Sequence, residues 1–157
     1  MPDTTRIAQA VLAKAKAIDP HMPKSDRIVL AAWADVFEGQ KIWAREALDA
    51  VSEHYRDPEA PRLMPGHVLA YCRDLPPWSS HEHAQEFLTH WAGYPYSDTI
   101  ERYTGIQWPE VTPPDDMDLK AERAWLAETR LKWVQENLGL LTGAILSQRY
   151  NPPAIES

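Results

Sequence analysis

The chain has 157 residues with one cysteine, and its 16 Lys and Arg against 23 Asp and Glu give a formal net charge of −7. A single cysteine excludes an internal disulfide framework and a zinc site built from several cysteines. No apolar run approaches the ~18 residues that a membrane-spanning helix needs, and the start MPDTTRIAQA lacks the basic and apolar segments of a signal peptide. We therefore expect a soluble, cytoplasmic protein with no membrane contact.

The negative charge is concentrated in the second half of the chain. Residues 1–76 carry 10 Lys and Arg against 11 Asp and Glu, whereas residues 77–157 carry 6 against 12. Proteins bind double-stranded DNA mainly by neutralising its phosphates with Lys and Arg. The charge of the second half therefore argues against direct binding of double-stranded DNA and favours a protein partner.

Residues 1–76 are predicted to form a small helical bundle. Three segments, 4–19, 25–39 and 41–55, repeat apolar residues at the three- and four-residue spacing of amphipathic helices, and prolines separate them from the next elements. Ser25 is the expected N-cap of the second helix and Gly39 its stop. The bundle is expected to bury an apolar core made of Val11, Val29, Trp33, Val36, Leu48, Val51, Val68 and Leu69.

The stretch RLMPGHVLAYCRDL, residues 62–75, is predicted to begin a fourth helix at Pro65. Proline is well tolerated at the first helical position, because the N–H that it lacks would have no partner inside the helix. Leu63 lies just before this helix and is expected to pack on Val68 in the first turn. We interpret Pro65 and Leu63 as structural residues rather than as ligand contacts.

Residues 77–157 are predicted to form a separate acidic helical region after the segment LPPWSS. Ser79 and Glu82 form an expected capping box for a helix that ends at Trp91. Residues 93–114 are a long connection rich in aromatic residues and proline, with a helical turn near Thr99, and residues 118–150 are predicted to form one long helix. The chain as a whole is therefore predicted to be all-α.

The last helix carries the most regular apolar pattern of the chain. Its apolar residues alternate three- and four-residue spacings, as in the a/d repeat of coiled coils. They form what we call the C-terminal seam: Leu131, Val134, Leu138, Leu141 and Ile145. Such a seam packs on the chain's own helices, docks into a partner or pairs with a second copy. Because only one other clear helix is predicted in this half, part of the seam is expected to remain available to a partner or for self-association.

Seven tryptophans are many for a chain of this length. Trp78, Trp108 and Trp125 lie in connections or on a mixed helix face rather than on an apolar stripe. Tryptophan is enriched among the residues that contribute most to protein interfaces. These three residues are therefore further candidates for contact with a partner.

No catalytic or cofactor-binding motif is found in the sequence. It has neither the GxSxG turn of a serine hydrolase nor the GxxxxGK[ST] loop that holds phosphates. His83, Glu86 and His90 share one helix face and could supply a metal site of two histidines and one carboxylate. The segment HEHAQ is not the HExxH zinc motif, however, and an exposed polar face is the simpler interpretation. We therefore expect a non-enzymatic protein without cofactor or metal.

The order of features in residues 31–75 is more informative. Trp33 lies in one helix, an alanine-rich helix ends in AVSEHY at residues 50–55, and a broken linker leads to a helix with Pro65 and Val68. This pattern resembles the N-terminal domain of the phage replicative-helicase loader/inhibitor family, and is similar to small helical proteins from the replication regions of actinobacterial phages.

The resemblance implies a phage-encoded, non-enzymatic adaptor that works in the host cytoplasm. Such an adaptor would bind the hexameric replicative DNA helicase and deliver it to an origin-bound initiator or to single-stranded DNA, with a single-stranded DNA-binding protein as another possible partner. No residue of the second half is matched by the family.

Two other functions remain open at this point. The first is a phage-encoded interaction protein that inhibits another host enzyme, a role that suits a small, acidic, aromatic-rich chain. The second is a helix-turn-helix DNA-binding regulator whose helix from Pro65 would present His67, Tyr71 and Arg73 to DNA. A regulator is expected to have a basic face, which these three residues beside Asp74 do not form.

Overall fold

The computed structural model describes residues 3–149 of the chain. Within this range the chain forms eight α-helices and one short 3-10 turn and has no strand, so the predicted all-α class is confirmed. The chain divides into two compact units, Met1–Pro76 and Pro77–Ser157, and the boundary falls inside the segment LPPWSS. None of the helices between residues 3 and 149 has both the length and the apolar character required to cross a membrane.

The N-terminal unit is a bundle of four helices: α1 (Thr4–Ile18), α2 (Arg27–Phe37), α3 (Ala44–Tyr55) and α4 (Pro65–Arg73). Helix α1 packs on α2 and α3, and α4 packs on α3 and α2. The N-cap of α2 is Asp26, whose carboxylate accepts a hydrogen bond from the Val29 amide at 2.8 Å. The predicted N-cap, Ser25, is therefore wrong by one residue.

The core of this unit contains most of the predicted residues. Val11, Val51 and Val68 are fully buried, Trp33 is 8% exposed, and Val29 and Leu69 are partly buried against them. Two residues depart from the prediction: Val36 is 44% exposed, and Leu48, although half-buried like Val29 and Leu69, lies outside the cluster that those two pack against. The inward position on α2 belongs to Phe37 instead, whose ring meets Trp33 edge-on with the centroids 6.1 Å apart.

The entry to α4 is as predicted. Helix α4 begins at Pro65, and Leu63 and Val68 are both fully buried in the same apolar cluster. The Leu63 amide donates to Oη of Tyr55 at 3.1 Å, and that hydroxyl donates to a carboxylate oxygen of Asp19 at 3.0 Å. The linker between α3 and α4 is therefore attached to both α3 and the end of α1.

The C-terminal unit begins with the 3-10 turn Pro77–Ser79, followed by α5 (His81–Ala92), α6 (Thr99–Thr104), α7 (Leu119–Glu136) and α8 (Leu138–Ser147). The predicted helical turn near Thr99 is thus present as α6. The N-cap of α5 is Ser80, whose hydroxyl accepts from the His83 amide at 3.1 Å, and not Ser79 as predicted.

The predicted single helix over residues 118–150 is wrong, because the chain breaks between α7 and α8 at Asn137. The backbone of Asn137 is not helical (φ −119°, ψ 19°), and its amide hydrogen bonds to the carbonyls of Trp133 and Val134. Its side-chain amide also donates to the Trp133 carbonyl at 2.9 Å. Asn137 thus ends α7 and, through its own carbonyl, accepts the first bond of α8 from Leu141. The expected helix end at Tyr150 lies outside the described residues.

Candidate protein-interaction site

The C-terminal seam is part of the core of its own unit. Val134, Leu141 and Ile145 are fully buried, and Leu131 and Leu138 are partly buried against them. Helices α5 and α6 cover the seam with four fully buried residues: Ala84, Leu88, Ala92 and Ile100. Three of the five seam residues are thus taken up by the core of the unit itself, and the availability of the two partly buried ones to a partner or to a second copy stays a prediction.

The three candidate tryptophans are half-buried and lie in different surroundings. Trp78 packs on the C-terminal core with its ring 6.1 Å from that of Tyr103. Trp108 lies beneath the guanidinium of Arg130, 5.2 Å from its ring centroid. Trp125, on α7, is also half-buried. Part of the surface of each tryptophan is thus buried within the chain, and the remaining part is accessible.

Arg130 is the most completely buried charged residue of the C-terminal unit, with 1% exposure. Its guanidinium contacts Glu101 with two hydrogen bonds of 2.8 and 3.1 Å and donates to the Ser97 carbonyl at 3.0 Å. The ring of Trp108 makes a cation–π contact with the same guanidinium. Through these contacts Arg130 of α7 holds the segment that connects α5 with α7, which includes Ser97, Glu101 and Trp108. The sequence gives no sign of this role, because Arg130 stands in a polar run of α7.

A series of aromatic rings leads from the core of the C-terminal unit to its surface. We call it the aromatic row, and its rings are Tyr103, Phe87, Trp91, Tyr94 and His90. Neighbouring centroids are 4.7 Å apart for Tyr103 and Phe87, 6.4 Å for Phe87 and Trp91, and 5.3 Å for Trp91 and Tyr94. The His90 ring contacts both Trp91 and Tyr94.

The outer end of the aromatic row is accessible. Tyr94 is 44% exposed, and Tyr96, in the same turn, is 64% exposed. Exposed clusters of large apolar side chains commonly mark interaction sites. The sequence feature that could have indicated this exposed site is GYPYS, residues 93–97, where two tyrosines occur together with glycine and proline.

The suggested metal ligands are not brought together into a site. His83 is buried, whereas Glu86 and His90 are exposed and the His90 ring belongs to the aromatic row. Among residues 3–149, no group of three His, Cys, Asp or Glu side chains is placed to hold a metal ion.

Two histidines of the N-terminal unit stack where α3 ends and α4 begins. The rings of His54 and His67 lie 4.5 Å apart, and the Met64 amide donates to Nδ1 of His67 at 2.9 Å. Burial, together with the neighbouring His54, lowers the pKa of His67 below its usual value. The neutral ring of His67 therefore caps the first turn of α4.

Cys72 faces the core of the N-terminal unit from α4 and is 1% exposed. Burial, with smaller contributions from Glu46 and Asp49, raises the pKa of its thiol to about 12. At neutral pH the thiol is therefore protonated and shielded from solvent, as expected for a packed residue.

Beside α4, a cleft of about 310 Å³ is lined by Leu69 and Arg73 together with Gly39, Gln40 and Lys41.

The outer end of the aromatic row is thus an exposed aromatic feature of the C-terminal unit. It is a second candidate contact with a partner, beside the partly buried seam residues Leu131 and Leu138. No protein-family model, no curated protein and no solved structure matches this chain.

Proposed function

We propose that this chain is a non-enzymatic adaptor of phage DNA replication that binds the hexameric replicative helicase and loads or inhibits it. One observation carries the proposal. The residues that resemble the helicase loader/inhibitor family, 31–75, lie within a single compact unit and include most of α2, with α3 and α4 complete.

The features that make up the resemblance occupy structural positions in this unit. Trp33 is buried against Phe37, the segment AVSEHY ends α3, and Pro65 begins α4. Tyr55, the last residue of that segment, attaches the linker to α1 through Asp19. The pattern therefore corresponds to a set of packing contacts for one bundle, which supports reading it as a family pattern.

The DNA-binding alternative gains little support from α4. The ring of His67 is engaged with Met64 and His54, and Tyr71 is partly buried against the core. Of the three expected recognition side chains, Arg73 alone is exposed. One exposed cation does not provide the basic surface that binding to DNA phosphates requires.

The experiment is a DNA-unwinding assay with the purified replicative helicase of an actinobacterial host and a forked DNA whose single strands are coated with single-stranded DNA-binding protein. An adaptor that loads the helicase should increase unwinding of the coated fork several-fold and have little effect on a naked fork. An inhibitor should decrease unwinding of both. Unwinding that stays the same on both forks over a full titration would contradict the proposal.

A further inference from the structure

We propose that the outer end of the aromatic row is a docking surface for an arginine-rich segment of a partner protein. The surface consists of His90, Trp91 and Tyr94 together with Tyr96 of the following turn. The chemistry of the surface depends on the C-terminal unit alone. That the partner is the helicase rests on the proposed function.

The rings of His90, Trp91 and Tyr94 contact one another and are anchored at one end, and Tyr96 is exposed two residues further along the chain. Phe87 and Tyr103 pack against the core and support Trp91, which in turn contacts Tyr94 and His90. The Ser97 amide donates to the Tyr94 carbonyl at 3.1 Å, which closes the turn that carries Tyr96. Rings that are already held in place lose little conformational entropy when a partner binds.

The charge of the segment that carries these rings favours a cationic partner. Residues 77–98 include Glu82, Glu86 and Asp98 and contain no Lys or Arg. The neighbouring cation Arg102 is paired with Asp98 at 3.2 Å. Single-stranded DNA also stacks on aromatic rings, but it needs a positively charged groove, which this segment does not supply. A second copy of the chain would bring a C-terminal unit of the same negative sign.

The unit itself shows how it holds an arginine. Arg130 lies between the ring of Trp108 and the carboxylate of Glu101, so an aromatic face and an acid share one guanidinium. On the outer surface Glu86 lies one helical turn before His90 on α5, so aromatic rings and a carboxylate again occur close together. Arginine is favoured over lysine, because its planar guanidinium stacks on rings and is more weakly hydrated than an ammonium group.

The first test uses an oligo-arginine peptide as the probe and NMR of the whole chain as the readout. The matched variants are Tyr94→Ala/Tyr96→Ala and Leu119→Ala/Leu140→Ala, since both pairs are exposed side chains of the C-terminal unit. The peptide should shift the Trp91 indole resonance. Its affinity should fall about tenfold in the tyrosine variant, as the loss of two exposed cation–π contacts predicts, and stay unchanged in the leucine variant. An oligo-lysine peptide should bind more weakly.

Equal affinity of the wild type and the tyrosine variant for oligo-arginine would overturn the proposal, as would shifts spread over the acidic residues without Trp91. Dimerisation of the wild-type chain that is lost in the tyrosine variant would also overturn it, because the surface would then belong to a second copy. Backbone NMR spectra check that both variants keep the fold.

The second test uses the replicative helicase and separates this proposal from the proposed function. If the helicase binds the wild type and the tyrosine variant equally well, the docking surface is wrong and the adaptor function stands. If oligo-arginine binds at Trp91 but the helicase does not bind the chain, the docking surface stands and the adaptor function is wrong.

Discussion

Glu101 of α6 and Arg130 of α7 form a bidentate ion pair in the C-terminal unit, with Nη1 to Oε1 at 2.8 Å and Nη2 to Oε2 at 3.1 Å. The two side chains are 11% and 1% exposed. A pair this buried must offset a large loss of hydration, which requires good geometry and further hydrogen bonds. The Ser97 carbonyl provides one such bond. The Nε of Arg130 has no hydrogen-bond partner, which leaves part of this cost uncompensated.

We predict that Arg130→Met destabilises the C-terminal unit strongly. The substitution keeps a long side chain but leaves the carboxylate of Glu101 buried without its counter-ion, a change that typically costs about 3–5 kcal/mol. Urea unfolding followed by NMR measures the loss separately for each unit.

The control for this prediction is Lys132→Met on the same helix. Lys132 lies 4.0 Å from Glu136 in an exposed ion pair, and exposed pairs contribute about 0–1 kcal/mol. Equal destabilisation by Arg130→Met and Lys132→Met would show that the buried pair has no special role.

Two adjacent leucines test the assignment of the C-terminal seam to the core. Leu141 is fully buried, whereas Leu140 is 64% exposed on the same helix. Leu141→Ala should lower the free energy of unfolding by about 2–5 kcal/mol, and Leu140→Ala should change it by less than about 0.5 kcal/mol. Similar small effects from both substitutions would mean that the seam is accessible after all.

The reactivity of Cys72 should report the unfolding of the N-terminal unit. Because the thiol is buried and its pKa is raised to about 12, a thiol reagent at neutral pH should modify it only when this unit opens. The rate of modification by an excess of reagent should rise steeply across the urea transition of the unit. Rapid modification in the native state would contradict the packing of α4.

The hydrophobic staple of α4 predicts a clear difference between two neighbouring residues. Leu63→Ala should cost about 2–5 kcal/mol, because Leu63 is fully buried beside Val68. Met64→Ala should cost much less, since Met64 is largely exposed. The rate at which a thiol reagent modifies Cys72 measures the loss of stability in each of the two variants. If the two variants expose Cys72 at the same rate, Leu63 does not anchor the linker.

The stability of the N-terminal unit is predicted to fall on acidification through His67. Burial and the nearby His54 lower the pKa of His67 from its usual 6.5, so the unfolded chain binds a proton more readily than the folded chain. The contribution of His67 to stability is therefore full above pH 6.5 and is lost as the pH falls through the lower pKa of the folded state.

Urea unfolding across this pH range measures the effect, with His67→Asn as the comparison. Asparagine does not titrate, and its side-chain oxygen can accept from the Met64 amide in place of Nδ1. The variant should therefore lose stability less steeply as the pH falls. The same pH dependence in both proteins would exclude His67 as the group responsible.

Several features of the fold were predictable because they depend on local chemistry. Pro65 at the start of α4 and the burial of Leu63 follow from helix-capping rules that act within a few residues. The stripe on α2 was harder to predict, because Val36 and Phe37 are adjacent apolar residues and a shift of one residue exchanges them. The larger aromatic ring takes the inward position, where it meets Trp33.

The features that were missed depend on tertiary contacts. The a/d spacing of the seam runs across Asn137, so it suggested one continuous helix where α7 and α8 are separate. Arg130 and Glu101 are 29 residues apart, and nothing in their local sequence indicates that they pair. The aromatic row likewise joins α5 to Tyr103 of α6 by contacts that periodicity does not reveal. The candidate site at the outer end of the aromatic row could therefore be found only from the packing of the helices in three dimensions.

The proposed adaptor function requires that the chain binds the replicative helicase. Sedimentation velocity of the purified helicase hexamer with the fluorescently labelled whole chain tests it most directly. We predict that the labelled chain co-sediments with the hexamer, and that Tyr94→Ala/Tyr96→Ala weakens the complex while Leu119→Ala/Leu140→Ala does not. A chain that sediments alone at every helicase concentration tested would contradict helicase binding.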